Sequence, residues 1–504
     1  MGSILMKAMN YSEFETLCEK RKEEIRATKD VSPRDICGET YYVSNAGNDS
    51  NDGLTPKTAW KTLDKVSQVA LFPGDCVRFR RGDIFRGAMQ CQAGVTYTGY
   101  GEGEKPRLYG WTKSLADPQL WVCVDEAHHI WKYVDQISDC GTLVFNDGEF
   151  HSRKLIPSFI RGRFMCRDDE TKPFVMAEEM TQNLDIFCYY VGNQESSTTK
   201  GESFPVPNMY GGCLGDLYLR CDNGNPGAVF KMIEAVCWNV SISVCAKPHV
   251  HIDNLCLKYA RFGIDGGRPH VIGLHVTNCE IGWIGGNIQH YTGTDPNYPQ
   301  GTRGSVTRFG NAIEIYGGCD DFWVSNCYVY QVYDAGMTHQ VSTNGKRFVM
   351  RNIRYTDNLI EKCVYGIEYF LDKNIGGEES YMDNVEMSGN VIFDSGFGWG
   401  QQRHNKQTPA HIKGWSYENT ASNYSIHHNV FGKAAFRMLH LVAKEPESCP
   451  KMYANTYIQT LGGTLGQYGY NRIEEPENIV FDENVECKIE TVLGEKDSKV
   501  YYID

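Results

Sequence analysis

The segments "VIGLHVTNCEIGWIGG" (residues 271–286) and "DFWVSNCYVYQVYDAG" (residues 321–336) share one pattern, two short alternating strands separated by an Asn. Further copies lie at residues 250–267, 354–370, 383–398 and 424–442, and a weaker copy lies at residues 477–489. The Asn of each copy is, in chain order, Asn254, Asn278, Asn326, Asn358, Asn390, Asn429 and Asn484. Self-similarity with a period of about 20–50 residues is typical of solenoids. The repeat therefore predicts a stack of similar coils from residue 250 onward.

The repeated Asn residues indicate how such a stack is held together. In a parallel β-helix each coil buries its inward residues against neighbouring coils, and alternate side chains along a strand face inward. A buried Asn at one turn of every coil can form hydrogen bonds along the stack, as amide ladders do. We therefore expect these Asn side chains to lie inside successive turns. Cys279 and Cys327 directly follow two of them and are expected to stack as small apolar residues.

The stretch "YYVSNAGNDSNDGLTPKTAWKTLDKVSQVALFPGDCVRFRRGD" (residues 41–83) predicts the start of the stack. It opens with a strand, and its Asn, Asp and Gly residues favour turns. Leu63, Val66 and Val69 follow at helical spacing, and Pro-Gly-Asp ends that helix before a second strand. This stretch should begin and cap the first coil.

The segment "SEFETLCEKRKEEIRA" (residues 12–27) predicts a helix before the first coil. Ser12 and Glu15 have the spacing of a capping box, and Phe14, Leu17 and Ile25 can share one helix face. The predicted organisation is an N-terminal helical cap (1–39), first coils (40–111), an inserted β-rich region without a clear period (112–249), and a main stack (250–504).

Composition limits the classes of function. The formal net charge of -13 disfavours binding to nucleic acid, because phosphates would be repelled. There is no 18-residue apolar run for a membrane span and no pattern of a secretory signal. The 19 cysteines show no CxxC pair and no zinc spacing, so two alternatives remain, a disulfide-rich secreted protein or reduced thiols in a core. We favour reduced thiols and a cytoplasmic protein; the oligomeric state stays open.

The opening stretch, followed by Asn-marked coils, resembles the right-handed parallel β-helix proteins of carbohydrate metabolism. This pectate-lyase-like superfamily includes β-helical glycoside hydrolases such as the lacto-N-biosidase type. The resemblance covers residues 40 to about 490 except 112–249. It implies an all-β, right-handed parallel β-helix solenoid with an N-terminal helix and an inserted β-rich region. It does not imply one reaction, because this scaffold carries hydrolases, lyases, epimerases and adhesins.

Carboxylates recur in the second strand of three consecutive copies, at Glu314, Asp334 and Glu368. Neighbouring coils lie about 4.8 Å apart, so such carboxyls fall within the separations used in glycoside hydrolysis. Crowding of like charges would raise at least one pKa, as a general acid requires. We predict Asp334 and Glu368 as the acid and nucleophile or base, with Glu314 as a third carboxylate. The alternative is three solvated acids on a solenoid face.

Aromatic and polar side chains near these acids are candidates for substrate binding, since rings stack on sugars. In chain order they are Asp265, Trp283, Tyr316, His339, Tyr369, Trp399, Arg403, His404, Trp415 and Arg437. Packing in the core or on a surface loop is the alternative for each. We predict no cofactor and no catalytic metal, while a structural Ca²⁺ remains possible in the Asp-rich turns.

The favoured function is a glycoside hydrolase for short oligosaccharides, with exo action if the insertion at residues 287–309 closes one end of a cleft. The first alternative is a polysaccharide lyase or uronate epimerase, which would use basic residues such as Arg403, His404, Lys413 and Arg437. The second alternative is a non-catalytic carbohydrate-binding β-helix.

Overall fold

The computed structural model describes residues 8–32, 36–155, 187–192, 214–268, 270–292, 305–341, 347–371, 380–402, 408–416, 418–470 and 476–503. The protein is mostly β and is built around large parallel sheets. Three ladders of parallel strands, named A, B and C below, run through the molecule. From residue 250 onward, successive passes of the chain add strands to A, then B, then C.

Ladder A is a sheet of ten strands paired in parallel. Its strands are Thr40–Val43, Cys76–Arg80, Thr96–Tyr100, His251–Asp253, His270–Thr277, Gly318–Ser325, Val349–Thr356, Tyr381–Ser388, Ala421–His427 and Lys451–Tyr453. Ladder B follows after a short turn in each pass. Its strands are Ile84–Arg86, Arg107–Tyr109, the first half of Cys256–Asp265, Glu280–Ile284, Tyr328–Val332, Leu359–Glu361, Val391–Phe393, Val430–Phe431, Thr456–Thr460 and Lys499–Ile503.

Ladder C completes each pass and carries the site described below. Its strands are Met89–Gln90, the end of Ile233–Ser243, the second half of Cys256–Asp265, Ile313–Tyr316, Ala335–Val341, Tyr365–Leu371, Ala410–Gly414, Leu439–Ala443 and Thr464–Tyr470. The short strand Ile479–Val480 pairs antiparallel with the last of these. Apolar side chains of all three ladders meet in one continuous core.

A second, mainly antiparallel sheet falls within residues 112–249. Its strands are Trp121–Asp125, Ile130–Tyr133, Ile137–Ser138, Arg153–Leu155, Phe187–Gly192 and Leu214–Arg220. Cys140–Phe145 joins it to the ladders by pairing antiparallel with Ile233–Ser243, and Phe150–His151 extends that edge. A hairpin of Asn287–Thr292 and Ser305–Phe309 leaves the ladders between B and C, where the sequence predicted an insertion.

The α-helices within the described ranges are Tyr11–Arg26, Leu63–Gln68, Pro226–Val229 and Val485–Val492. Single 3₁₀ turns lie at Pro56–Thr58, Pro118–Leu120, Asn146–Gly148, Trp399–Gln402 and Pro446–Ser448. The predicted helix after the opening strand is confirmed, with Leu63 and Val66 buried. The predicted capping box at Ser12 is wrong, because Asn10 caps the first helix. Leu17 is 66% exposed and does not share the buried face of Phe14 and Ile25.

The N-terminal segment lies along the outer face of ladder B, in the direction opposite to the order of the passes. Met9 pairs with Tyr502 of the last strand, and Phe14 packs edge-on against Phe393. Further along, Lys22 forms a 2.9 Å ion pair with Glu361, and Arg26 a bidentate pair with Glu280 at 2.9 and 3.1 Å. Thr28 then hydrogen-bonds to Asn254.

An inward column at the turn between ladders A and B explains part of the predicted Asn pattern. Strand register makes its members, in order of stacking, Leu255, Cys279, Cys327, Asn358, Asn390, Asn429 and Asn455. Asn358 donates to Asn390, Asn390 to Asn429, and Asn429 to Asn455, at 2.9–3.0 Å. The amide ladder is therefore confirmed for the later copies, and Cys279 and Cys327 stack as predicted.

The alignment of the earlier Asn residues with this column was wrong by one position. Asn254, Asn278 and Asn326 have φ of 60, 56 and 52°, and each lies directly before the inward residue of its pass. A shift of one residue along an extended chain reverses the direction of the side chain. Asn278 and Asn326 are accordingly half-buried and bond to each other at the outer face. The prediction that Asn484 lies inside a turn of the stack was also wrong, because Asn484 is the N-cap residue of the helix Val485–Val492.

We predict that Asn390→Leu destabilises the fold although a Leu side chain fits the equivalent position at Leu255. The substitution leaves the backbone N–H of Asn358 and the carbonyl of Tyr355 without their bonds to the Asn390 amide. Each buried unsatisfied group costs about 1–3 kcal/mol, so urea unfolding should show a loss of about 3 kcal/mol. Asn384→Gly is the matched control, because Asn384 is exposed at φ 56°. A loss no larger than the control's would contradict the amide ladder as a stabilising element.

We predict that the pair of Arg26 and Glu280 stabilises the protein only above acidic pH. Burial would raise the pKa of Glu280, but the Arg26 hydrogen bond and the charge of Lys258 outweigh it and lower the pKa below 4.5. The stabilisation is present above 4.5 and is lost as pH falls through the folded pKa. Glu280→Gln should cost about 1–3 kcal/mol at pH 7, since one partner is half exposed. In urea titrations this loss of unfolding free energy should shrink at pH 3. Glu24→Gln, at the exposed Arg21 pair, should cost almost no stability at either pH.

Candidate active site

A line of polar side chains, named the polar row here, runs along ladder C across its strands. Parallel register aligns its members as Asp265, Glu314, Thr338, Glu368, Lys413, His440 and Gln467. Their neighbours Ile313, Ile315 and Ile367 point into the core. Because side chains alternate along a strand, the polar row lies on the opposite, outer face of ladder C.

The polar row is shielded although it lies on the outer face. Glu314 is 3% exposed and Glu368 is 6% exposed. Thr338, Lys413 and Gln467 are buried as well. Removing ionisable groups from water is costly unless charges or hydrogen bonds compensate. Such groups in one shielded line are a physical mark of a functional site.

Glu314 is the acid whose protonation the surroundings most clearly alter. Its Oε2 accepts a 2.7 Å hydrogen bond from Asn311, whose own oxygen accepts from the Ala335 N–H. Burial first, and then the negative charges of Asp265 and Asp334, raise the pKa of Glu314 well above 4.5. This direction favours the protonated carboxyl of Glu314, the form from which a proton can be donated.

Asp334 does not occupy the strand position equivalent to Glu314 that the alignment of the repeated copies predicted. Glu314 is in register with Thr338, whereas Asp334 lies at the corner just before Ala335–Val341. The expected match failed because the turn between ladders B and C has a different length in each pass. Asp334 is nevertheless near, since its charge raises the pKa of both Glu314 and Tyr316.

Glu368 lies two strands from Glu314 along the polar row, with Thr338 between them. Gln340 donates to Glu368 Oε2 at 2.6 Å and to the Thr338 hydroxyl at 2.8 Å. Burial, followed by the charges of Glu314, Glu368 and Asp334, raises the pKa of Tyr316. One phenol thus lies within the field of all three predicted acids, so the structure brings these acids together.

The other half of the polar row, Lys413, His440 and Gln467, contains no acid. Lys413 follows Glu368 in register, and His440 follows Lys413. Arg437 donates to His440 Nδ1 at 2.5 Å and also bonds to Gln467. Burial and the charges of Lys413 and Arg437 lower the pKa of His440 to about 3, so its imidazole is neutral. The predicted residue Arg437 therefore contacts the polar row through His440 and Gln467.

Four predicted substrate-binding side chains are packed inside the protein. His339 and Tyr369 face the core of ladder C, where His339 stacks between Tyr355 and Tyr369. Trp399 is buried against Tyr333 and donates to the Gln331 carbonyl at 2.7 Å. Trp283 is buried on ladder B. For these four the prediction was wrong, because strand alternation turns His339 and Tyr369 inward, and Trp283 and Trp399 are buried in a separate apolar cluster.

Trp415 and Tyr316 remain candidates for substrate contact. Trp415 is 41% exposed at the end of Ala410–Gly414, with Lys413 Nζ 4.0 Å from its ring centre. Arg268 covers the half-buried Tyr316 ring at 4.7 Å. The predicted residues Arg403 and His404 lie outside the described residues.

Sequence comparison alone missed several polar residues of the site. They are Asn311, Thr338, Gln340, Gln467 and Arg261. A signal was available for Thr338 and Gln340, because both lie in the second strand of their copy, as Glu314 and Glu368 do. It was hidden by the variable turn before that strand.

The described residues hold no cluster of three or more His, Cys, Asp or Glu side chains suited to a metal ion. Every cysteine that the structure describes is a free thiol, in line with the predicted reduced state. In the same ranges, none of the helices has the length and apolar character needed to cross a membrane.

Comparison with known proteins gives distant likenesses. No protein-family model matches the chain. A lacto-N-biosidase of Bifidobacterium longum subsp. longum is 34% identical over 88 residues, which are 15% of this chain and only 6% of that protein's own length. The solved GH136 lacto-N-biosidase from Eubacterium ramulus shares 11% identity at a TM-score of 0.40, covering 98% of this chain and 71% of the other. The solved complex of XylC with xylose shares 12% sequence identity at a TM-score of 0.34, and the match covers 92% of this chain and 86% of the other.

We predict that Glu314→Gln makes the protein more stable at alkaline pH. A pKa that is raised in the folded state means that folding favours the protonated Glu314 carboxyl. The stabilisation from this carboxyl is present below pH 4.5 and is lost as the pH rises through the folded-state pKa. Gln mimics the protonated carboxyl at every pH. The variant should therefore match the wild type near pH 4 and exceed its melting temperature at pH 8. Glu386→Gln on ladder A is the control, and a difference that does not change with pH would contradict a neutral Glu314.

Proposed function

We propose that the protein is a glycoside hydrolase built on a right-handed parallel β-helix, with its cleft along ladder C. The observation that carries this proposal is the placement of Glu314, whose pKa burial raises, and Glu368 in one shielded row, separated by a single strand. Three ladders that receive strands in turn support the β-helix. The named relatives that are lacto-N-biosidases support an oligosaccharide as the substrate class.

Glycoside hydrolysis needs one carboxylic acid and one carboxylate on either side of the scissile bond. Two strand spacings separate the backbones of Glu314 and Glu368 by about 10 Å, and their side chains can converge to the range of about 6.5–9.5 Å used by inverting enzymes. Glu314 would protonate the leaving oxygen, because its surroundings keep it neutral. Glu368 would activate water as the base, with Gln340 orienting one of its oxygens.

Asp334 and Asp265 would keep Glu314 protonated through their negative charges. The sequence-based pair of Asp334 and Glu368 remains the alternative assignment, in which Glu314 tunes the charge. The hairpin strands Asn287–Thr292 and Ser305–Phe309 come directly before the Glu314 strand in the sequence. That position supports the proposal that the insertion closes one end of the cleft and favours exo action on short oligosaccharides.

A polysaccharide lyase or epimerase is the second candidate. The observation that favours it is Lys413, which follows Glu368 in register, with His440 next in the row and Arg437 bonded to His440. Such enzymes remove a proton next to a carboxylate, and basic groups can bind that carboxylate and accept the proton. A lyase would form an unsaturated product that absorbs in the ultraviolet, whereas a hydrolase would not.

We predict that Glu314→Gln and Glu368→Gln each lower the rate of glycoside cleavage by at least about 10². Gln keeps the size and hydrogen bonding of the side chain but cannot transfer the proton. The rates are measured on neutral oligosaccharides, whose leaving group needs a proton. Asp334→Asn tests the alternative pair. Because the Asp334 charge raises the pKa of Glu314, its removal should mainly shift the alkaline limb of the pH–rate profile to lower pH.

The matched control is Glu386→Gln, a half-buried acid on ladder A, which should keep the wild-type rate. With an activated substrate whose leaving group needs no protonation, Glu314→Gln should recover activity and Glu368→Gln should not. Full activity in both Gln variants would refute the assignment. Unsaturated products from acidic polysaccharides would establish the lyase instead.

A further inference from the structure

Arg261 lies beside the acidic end of the polar row and is held in an unusual way. It belongs to the strand Cys256–Asp265, four residues before Asp265. Its guanidinium carbon lies 3.6 Å from the ring centre of Trp238 and 4.5 Å from that of Phe262. Two aromatic rings therefore fix the plane and direction of this side chain, at a small entropic cost for binding.

The guanidinium has no polar partner among the residues that the structure describes. Its Nε is buried and unbonded, and no described side chain or carbonyl forms a hydrogen bond or ion pair with it. Burial lowers the pKa of Arg261 to about 10, although the charges of Glu314 and Asp265 oppose the change. An arginine offers five donors in a rigid fork. Burying the Nε–H without a hydrogen bond is costly, so the fork is available to an acceptor that arrives with a ligand.

The surroundings limit what this ligand can be. Asp139 is already paired with Lys154 at 2.5 Å, so the negative field near Arg261 comes mainly from Asp265, and from Asp334 through its action on the neighbouring Glu314. A ligand anion would be repelled by that field. Neutral oxygens are compatible with it, and a fork of N–H groups matches two oxygens on adjacent carbons. Asp265 can then accept a hydrogen bond from one of the same hydroxyl groups.

We propose that Arg261, positioned by Trp238 and Phe262, is a specificity-determining residue that binds two adjacent hydroxyl groups of a neutral sugar. This subsite rests on the proposed glycosidase function and extends it by naming the substrate class, a neutral sugar unit rather than an acidic one. The sugar would lie at the acidic end of the polar row, next to Glu314.

The placement also gives a role to part of the inserted region. Trp238 belongs to the strand Ile233–Ser243, which pairs with Cys140–Phe145 on one side and with ladder C on the other. Its backbone N–H donates to Ser138, next to the antiparallel sheet. The region that interrupts the repeats thereby supplies the ring on which Arg261 stacks. The subsite would be lost if this strand were displaced.

The test is a binding titration that needs no turnover. Methyl β-galactoside, methyl β-glucoside and their 3-deoxy analogues are titrated against the wild type and followed by ligand NMR. Loss of the 3-hydroxyl removes both adjacent pairs on the ring, at C2–C3 and at C3–C4. At least one parent glycoside should bind about tenfold or more tightly than its 3-deoxy analogue, as expected for lost charge-assisted hydrogen bonds. Arg261→Lys keeps the charge but not the fork, so it should reduce this ratio to within about twofold.

Arg354→Lys is the matched control, because Arg354 stacks on Trp323 at 4.7 Å on ladder A, away from the polar row. It should retain the wild-type ratio. Trp238→Phe keeps an aromatic support and should lower the ratio less than Arg261→Lys. The inference is overturned if neither parent glycoside binds, or if Arg261→Lys keeps the wild-type ratio. Selective binding by a protein that cleaves no glycoside would support the subsite and refute the proposed hydrolase.

Discussion

In-register parallel pairing along ladder C is the constraint on which the site depends. It aligns Asp265, Glu314, Thr338 and Glu368 on one face, although they are far apart in sequence. Because side chains alternate along each strand, a shift by one residue would bury these acids in the core and expose Ile313 or Ile367. The apolar core and the polar row therefore fix each other. Neither can change its register alone.

The sequence pattern predicted the repeating strands well because burial imposes a strict alternation on them. It failed at the turns, where the chain is free to lengthen or shorten. Asn326 and Asn358 appear equivalent by eye, yet only Asn358 faces inward, since Asn326 adopts a positive φ one position earlier. A single residue at positive φ leaves no signal in a hydrophobic pattern, although Asn tolerates that conformation well.

The same limit explains the mixed result for the site. Glu314 and Glu368 were found because they lie between apolar residues that recur in every pass. Asp334 was misaligned with them, because it lies at a corner of variable length. His339 and Trp399 were taken as cleft residues from their type alone, whereas packing places both in the interior. Arg261 could not be found from sequence, because its partner Trp238 comes from a strand outside the repeats.

The path of the N-terminal segment changes how such a stack behaves. In a simple array each repeat contacts only its neighbours, so repeats at the ends can open independently. Here one segment of about twenty residues bonds in turn to the last strand, through Tyr502, and to earlier passes, through Glu361, Glu280 and Asn254. Its binding surface is complete only when the passes from Asn254 to Tyr502 are all in place. Passes that are not neighbours in the stack are thereby linked through one segment of the chain.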